Sequence, residues 1–112
     1  MNIVVFCTCP NSEFAVRIAE ALVEARLAAC VSRLPGAVST YRWQGQTCTD
    51  REVLLMIKTT SQRFPALEAL TLELHPHEVP ELIAVPIERG HQPYLQWLAA
   101  STAESDPPPD RS

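Results

Sequence analysis

Apolar and polar positions along this chain change period several times, and each change marks an element. "NIVVFCTC" (residues 2–9) alternates Ile3, Val5 and Cys7 with Val4, Phe6 and Thr8. Both faces are apolar at its centre, which predicts an interior strand. Pro10 ends it. Asn11 or Ser12 then caps a helix, with Glu13 favourable in the first turn. Ala15, Ile18, Ala19, Leu22 and Val23 recur at helical spacing, whereas Arg17, Glu20 and Glu24 fall elsewhere, so one stripe is buried and the rest is wetted.

"LAACVSRL" and "AVSTYRW" make one long β stretch, interrupted at Pro35-Gly36 by a bend or bulge. "QGQ" around Gly45 turns the chain, and "REVLLMIKTT" returns it as a third strand. Ser61 is expected to cap a second helix with the stripe Phe64, Leu67, Leu70, Thr71 and Leu74. Pro65 is tolerated there because first-turn amides lack helical partners anyway. Pro76 stops that helix. "ELIAVPIE" reads as a fourth strand, and Pro86 places it at an edge or bulge. Pro93 opens a last helix with Tyr94, Leu95 and Leu98 facing inward.

The order βαββαβα predicts an α+β fold: a ferredoxin-like βαββαβ sandwich with a C-terminal helix and a long hairpin between its second and third strands. The domain spans residues 1–101, and 102–112 has too little apolar content to order, so a disordered tail is expected there. Two helices on one face of the sheet leave the opposite face, also apolar, in need of cover. A symmetric partner is the simplest cover.

With 112 residues and 46% hydrophobic content, the chain makes one domain with a real core. A net charge of −4 argues against nucleic acid or an anionic membrane as partner. No apolar run approaches the ~20 residues of a membrane span. The start on "NIVVFC", without a basic leader, argues against a secretory signal. Cys7, Cys9, Cys30 and Cys48 show no CxxC spacing, and in β-like stretches cysteine behaves as a small hydrophobe. A reduced, cytoplasmic protein is therefore expected. Gly36, Gly45 and Gly90 do not cluster, so no glycine-rich phosphate loop exists. No GxSxG elbow occurs, and aspartate stands only at 50, 106 and 110, leaving almost no supply for a catalytic triad. No enzyme is predicted.

The remaining chemistry lies in "ELHPHEVPELIAVPIERG" (residues 73–90). Pro76 keeps its neighbours extended, so the imidazoles of His75 and His77 can face one ion, with Cys7 joining from the first strand. Imidazole with thiolate suits copper or zinc. In the plainer reading, His75 finishes the second helix and the segment is only a turn; spacing alone favours that turn. Paired glutamates for acid–base work fare worse, because nothing local raises the pKa of either.

"FCTCPN", "LVEARLAACV", "YRWQG", "LLMIKTT", "ELHPHEVPELIAVPI" and "YLQWL" resemble, in order and spacing, the CutA family of divalent-cation tolerance proteins, from about residue 2 to 100. The resemblance implies a ferredoxin-like fold, an interlocked homotrimer built by the long hairpins, and copper binding, with other divalent cations left open. It matches the family's copper-associated cysteine to Cys7 and its histidine before proline to His75. Leu74 stands where some members carry a further histidine. His77 stands where many carry tyrosine, a substitution that either restores a nitrogen donor on the other side of Pro76 or is neutral. Arms at Val38–Trp43 and Cys48–Met56 reach beyond their own sheet, and three-fold exchange lets each continue a neighbour's sheet. The expectation is a non-enzymatic homotrimer that binds copper through Cys7, His75 and His77 and serves the response to metal. The rival is a trimeric scaffold whose inter-subunit clefts hold a small ligand or partner, with metal incidental.

Overall fold

A computed structural model describes residues 1–104. The elements run β1 (Asn2–Cys9), α1 (Ser12–Glu24), β2 (Cys30–Trp43), β3 (Gln46–Thr60), α2 (Phe64–Leu74), β4 (Leu82–Pro86) and α3 (Gln92–Ser101). The strands form one antiparallel sheet in the order β2-β3-β1-β4, so the interior strand read from "NIVVFCTC" is central. This is the ferredoxin-like α+β arrangement that the element order predicts.

One face of the sheet packs on helices. Ile3, Val5, Cys7 and Cys9 of β1 and Val53, Leu55 and Ile57 of β3 point there, against Ala15, Ile18 and Leu22 of α1 and Leu67 of α2. Asn11 caps α1, its side-chain oxygen accepting the Phe14 amide at 3.0 Å. The α1 stripe is buried except at Val23, which is exposed. The Thr59 hydroxyl donates to the Leu27 carbonyl at 2.6 Å, tying the segment after α1 to β3. In α2, Leu67 and Thr71 are buried, while Phe64, Leu70 and Leu74 pack around them. Ser61 does not cap this helix. The residues before Phe64 form a turn in which Thr60 and Ser61 carbonyls accept the Arg63 and Phe64 amides at 3.1 and 3.3 Å, and the N-cap is Arg63.

The second face stays open in a single chain. Register places Val4 opposite Val85 and Phe6 opposite both Met56 and Ile83, all on that face. Ile83, Val85 and Leu34 are exposed there. Lys58, on the same face, donates to the Ser32 hydroxyl at 2.6 Å and the Met56 carbonyl at 3.3 Å, so the one lysine is held in place by local bonds.

The β2–β3 hairpin shifts register between Leu34 and Ala37, the bulge read at Pro35-Gly36. Beyond it the paired arms continue to a two-residue turn at Gln44-Gly45, with φ of 51° and 79°. Positive φ at both positions matches the right-handed twist of the flanking strands. The arm carries exposed Val38, Tyr41 and Trp43. Pro86 ends β4 on the sheet edge, where no ladder donor is needed.

The expected disordered tail falls mainly on 105–112, outside the described residues. At its start Thr102 is buried, its hydroxyl 3.2 Å from the Leu98 carbonyl, and Glu104 pairs with Arg63 at 2.9 Å.

Candidate metal centre

A strand alternates its side chains, so Cys7 and Cys9, two residues apart on β1, share the helix-facing side of the sheet. Both are fully buried. The third group arrives from the end of α2. Pro76 cannot continue that helix, and His75 becomes its C-cap, extended at φ −78° and ψ 138°, its amide still bonded to the Thr71 carbonyl at 2.9 Å. This exit turns the His75 ring inward until only 7% of the residue is exposed. One donor atom from each of Cys7, Cys9 and His75 then lies within 4.8 Å of the others.

The bonds of His75 define its tautomer. Nε2 stands 2.8 Å from the Thr8 carbonyl oxygen. A carbonyl only accepts, so Nε2 carries the proton. Nδ1 accepts the His77 amide at 3.1 Å. The ring is therefore a neutral imidazole with both nitrogens engaged, and it must release one of these bonds to hold a metal ion.

The two thiols are coupled. The hydrogen bond between them pushes Cys7 far above the ordinary thiol range, aided by burial and by the nearby charges of Cys9, Glu81 and Glu52. The same bond lowers Cys9 against the opposing effects of burial and Glu52. Of the two thiols, Cys9 is the one favoured to ionise.

The donor set fits a soft or borderline metal ion: two sulfurs and an imidazole nitrogen. Two sulfurs at ~2.3 Å from one tetrahedral ion stand about 3.8 Å apart. The three donor atoms here lie within 4.8 Å of one another, a span of the same order.

Of the residues singled out from sequence, Cys7 and His75 come together. His77 lies outside the three-atom cluster. Its ring centroid is 5.1 Å from that of His75, its side chain is exposed, and its direct bond to the cluster is through its backbone N–H. Cys9 is not among the residues singled out, because a cysteine in an apolar strand reads as a small core hydrophobe. The available signal was its same-face spacing with Cys7 in a strand that ends at Pro10.

Beside the cluster, an open cavity of about 850 Å³ lies between the hairpin arm and the α2–β4 segment. Thr8, Tyr41, Trp43, Glu52, His77 and Glu81 are among its lining residues. His77 and Glu81 thus face the cavity, on the side of the α2 exit.

Comparison with known proteins places this architecture. A family model described as CutA1 divalent ion tolerance protein matches residues 3–101. The divalent-cation tolerance protein CutA of Thermus thermophilus is 51% identical over 102 residues, covering 91% of this chain and 99% of the relative. Protein CutA of Homo sapiens is 52% identical over 97 residues, 87% of this chain but 54% of that longer relative. The solved Thermus thermophilus Cut A1 structure superposes with a TM-score of 0.90 at 50% identity, covering 92% of this chain and 100% of that one. CutA1 of Oryza sativa matches with a TM-score of 0.90 at 45% identity, over 93% and 95% of the two chains. These names describe cation tolerance and name no reaction. Among the described residues no helix is long and apolar enough to cross a membrane. The chain belongs to the CutA1 divalent ion tolerance protein family.

Proposed function

We propose that this chain is a non-enzymatic, cytoplasmic homotrimer that binds copper and serves the cell's response to metal ions, with Cys7 and His75 as ligands and His77 beside them. The observation that carries the reading is the convergence of the Cys7 thiol and the His75 imidazole in one buried cluster, from elements far apart in sequence. Thiolate and imidazole together favour copper among the biological divalent ions. His77 contributes by holding the His75 ring through its amide. Bound copper would act as cargo or signal.

Support for the trimer comes from two surfaces. The open sheet face presents Ile83 and Val85, and the hairpin arm presents Val38, Tyr41 and Trp43. An edge strand with exposed apolar side chains is an aggregation hazard unless paired, and exchange of arms around a three-fold axis pairs all of them.

The test is a copper titration of the purified protein by calorimetry at neutral pH. Saturable, stoichiometric binding that weakens at least about tenfold in Cys7→Ser and His75→Gln is expected. Unchanged affinity in both, with assembly intact, overturns the metal reading. The cavity of about 850 Å³ between the hairpin arm and the 76–81 segment supports the second reading, a scaffold that holds a small ligand. Absence of saturable copper binding favours that scaffold.

A further inference from the structure

Family resemblance and spacing assign no role to Cys9, yet it occupies the same buried cluster as Cys7 and His75. We propose that Cys9 is a third ligand of this site, and that its thiolate makes the site selective for cuprous ion, the soft monovalent form of copper. The inference rests on the reading of Cys7 and His75 as copper ligands and goes beyond it.

Cys7 and Cys9 follow the two-residue repeat of β1, so no backbone change is needed to aim both sulfurs at one point. His75 approaches from α2, anchored to the carbonyl of Thr8, the residue between the two cysteines. The imidazole is thereby indexed to the C-x-C segment itself.

Donor chemistry decides between ions. Structural zinc sites are almost always four-coordinate. Here three protein donors meet where Cys7 and Cys9 are wholly buried and His75 nearly so, leaving little access for water as a fourth ligand. A monovalent d10 ion needs fewer donors than a dication and prefers sulfur, which favours Cu(I) over Zn(II). Cupric ion prefers square-planar or tetragonal nitrogen and oxygen sets, and no carboxylate belongs to the three-atom cluster. Burial also favours the lower charge, because desolvating a monovalent ion costs less than desolvating a divalent one.

The alternative occupant of the Cys9 position is a core side chain with no ligand role. Replacement by valine, close to cysteine in size and unable to ligate, separates the two. Serine keeps size and polarity but removes the soft donor.

The experiment uses the full chain under anaerobic conditions. Cu(I) affinity is measured by competition with bicinchoninate for wild type, Cys9→Val, Cys9→Ser and Cys7→Ser. Cu(II) affinity is measured by calorimetry for the same set, and folding is checked by circular dichroism. Wild type is expected to bind Cu(I) more tightly than Cu(II). Both Cys9 variants should lose Cu(I) affinity by about tenfold or more while Cu(II) affinity falls less, narrowing the preference. Unchanged Cu(I) affinity in both Cys9 variants, with loss in Cys7→Ser, overturns the role of Cys9 and leaves the Cys7–His75 site standing. No copper binding by wild type in either oxidation state overturns both. If the Cys9 variants do not fold, X-ray absorption at the copper edge of the Cu(I)-loaded wild type decides. Two sulfur neighbours per copper support the proposal and a single one contradicts it.

Discussion

The Nε2 of His75 lies 2.8 Å from the main-chain carbonyl of Thr8, joining the end of α2 to the middle of a C-x-C segment 67 residues earlier. With the His77 amide on Nδ1, the bond holds the ring in one tautomer and one orientation. His75 is thus an anchor of the fold as well as a candidate ligand. His75→Ala should destabilise the protein by about 2–4 kcal/mol, from two lost hydrogen bonds and the cavity left behind. His75→Gln, which retains a donor and an acceptor, should cost less. Urea midpoints at one fixed protein concentration check the order, and equal midpoints for the two variants would show that the ring's bonds carry no weight.

Tyr41 and Asp50 make a second informative pair, hydrogen-bonded diagonally across the hairpin arms. That bond, more than slight burial or the carboxylate charge, pushes the Tyr41 phenol up to about 12. The neutral phenol is the form the fold favours. Its stabilising contribution is therefore complete below the ordinary tyrosine value near ~10 and is lost as pH rises to about 12. Ultraviolet titration should show one phenol ionising late in wild type and returning toward ~10 in Asp50→Asn. Identical curves would contradict the assignment.

Gly45 sits at φ +79° in the hairpin turn, and nothing crowds the position a Cβ would take. The cost of Gly45→Ala is therefore backbone conformation alone, about 1 kcal/mol. Gln44 at φ 51° already tolerates that region, and Gln44→Asn should be neutral or slightly stabilising. Thermal midpoints for the two variants should move in these directions. A neutral Gly45→Ala would mean that the turn rearranges.

Light scattering at low micromolar concentration should give three times 12.4 kDa. Trp43→Ala together with Val38→Lys should shift the protein toward smaller species, because both residues are exposed on the projecting arm of a single chain. A wild-type monomer that is folded at that concentration contradicts the trimer.

Most of the architecture was legible because period and punctuation agree. The two-residue alternation of "NIVVFCTC", the helical stripe through Ile18 and Leu22, and the turn at Gly45 each have one physical solution. The boundary of α2 was not. Ser61 offers a capping hydroxyl, but a turn formed by residues 60–64 satisfies the same amides with backbone carbonyls, and a sequence does not reveal which acceptor wins. Two of the three residues of the candidate cluster were legible. His75 announces itself by preceding Pro76, and Cys7 by its family motif. Cys9 was hidden because a buried cysteine in a strand looks identical whether it fills space or holds a ligand; only the arrival of His75 over Thr8 brings it into a cluster of donors. His77 looked equivalent to His75 by symmetry about Pro76. The turn broke that symmetry, burying one ring and exposing the other.

In the proposed function copper binds where Cys7 and His75 converge. An anomalous difference map at the copper edge, from a copper-loaded crystal of the full chain, tests it most directly. The strongest peak is expected among Cys7 Sγ, Cys9 Sγ and the His75 ring. A peak only at the exposed His77 or His91, or none in crystals that retain copper in excess, would contradict it.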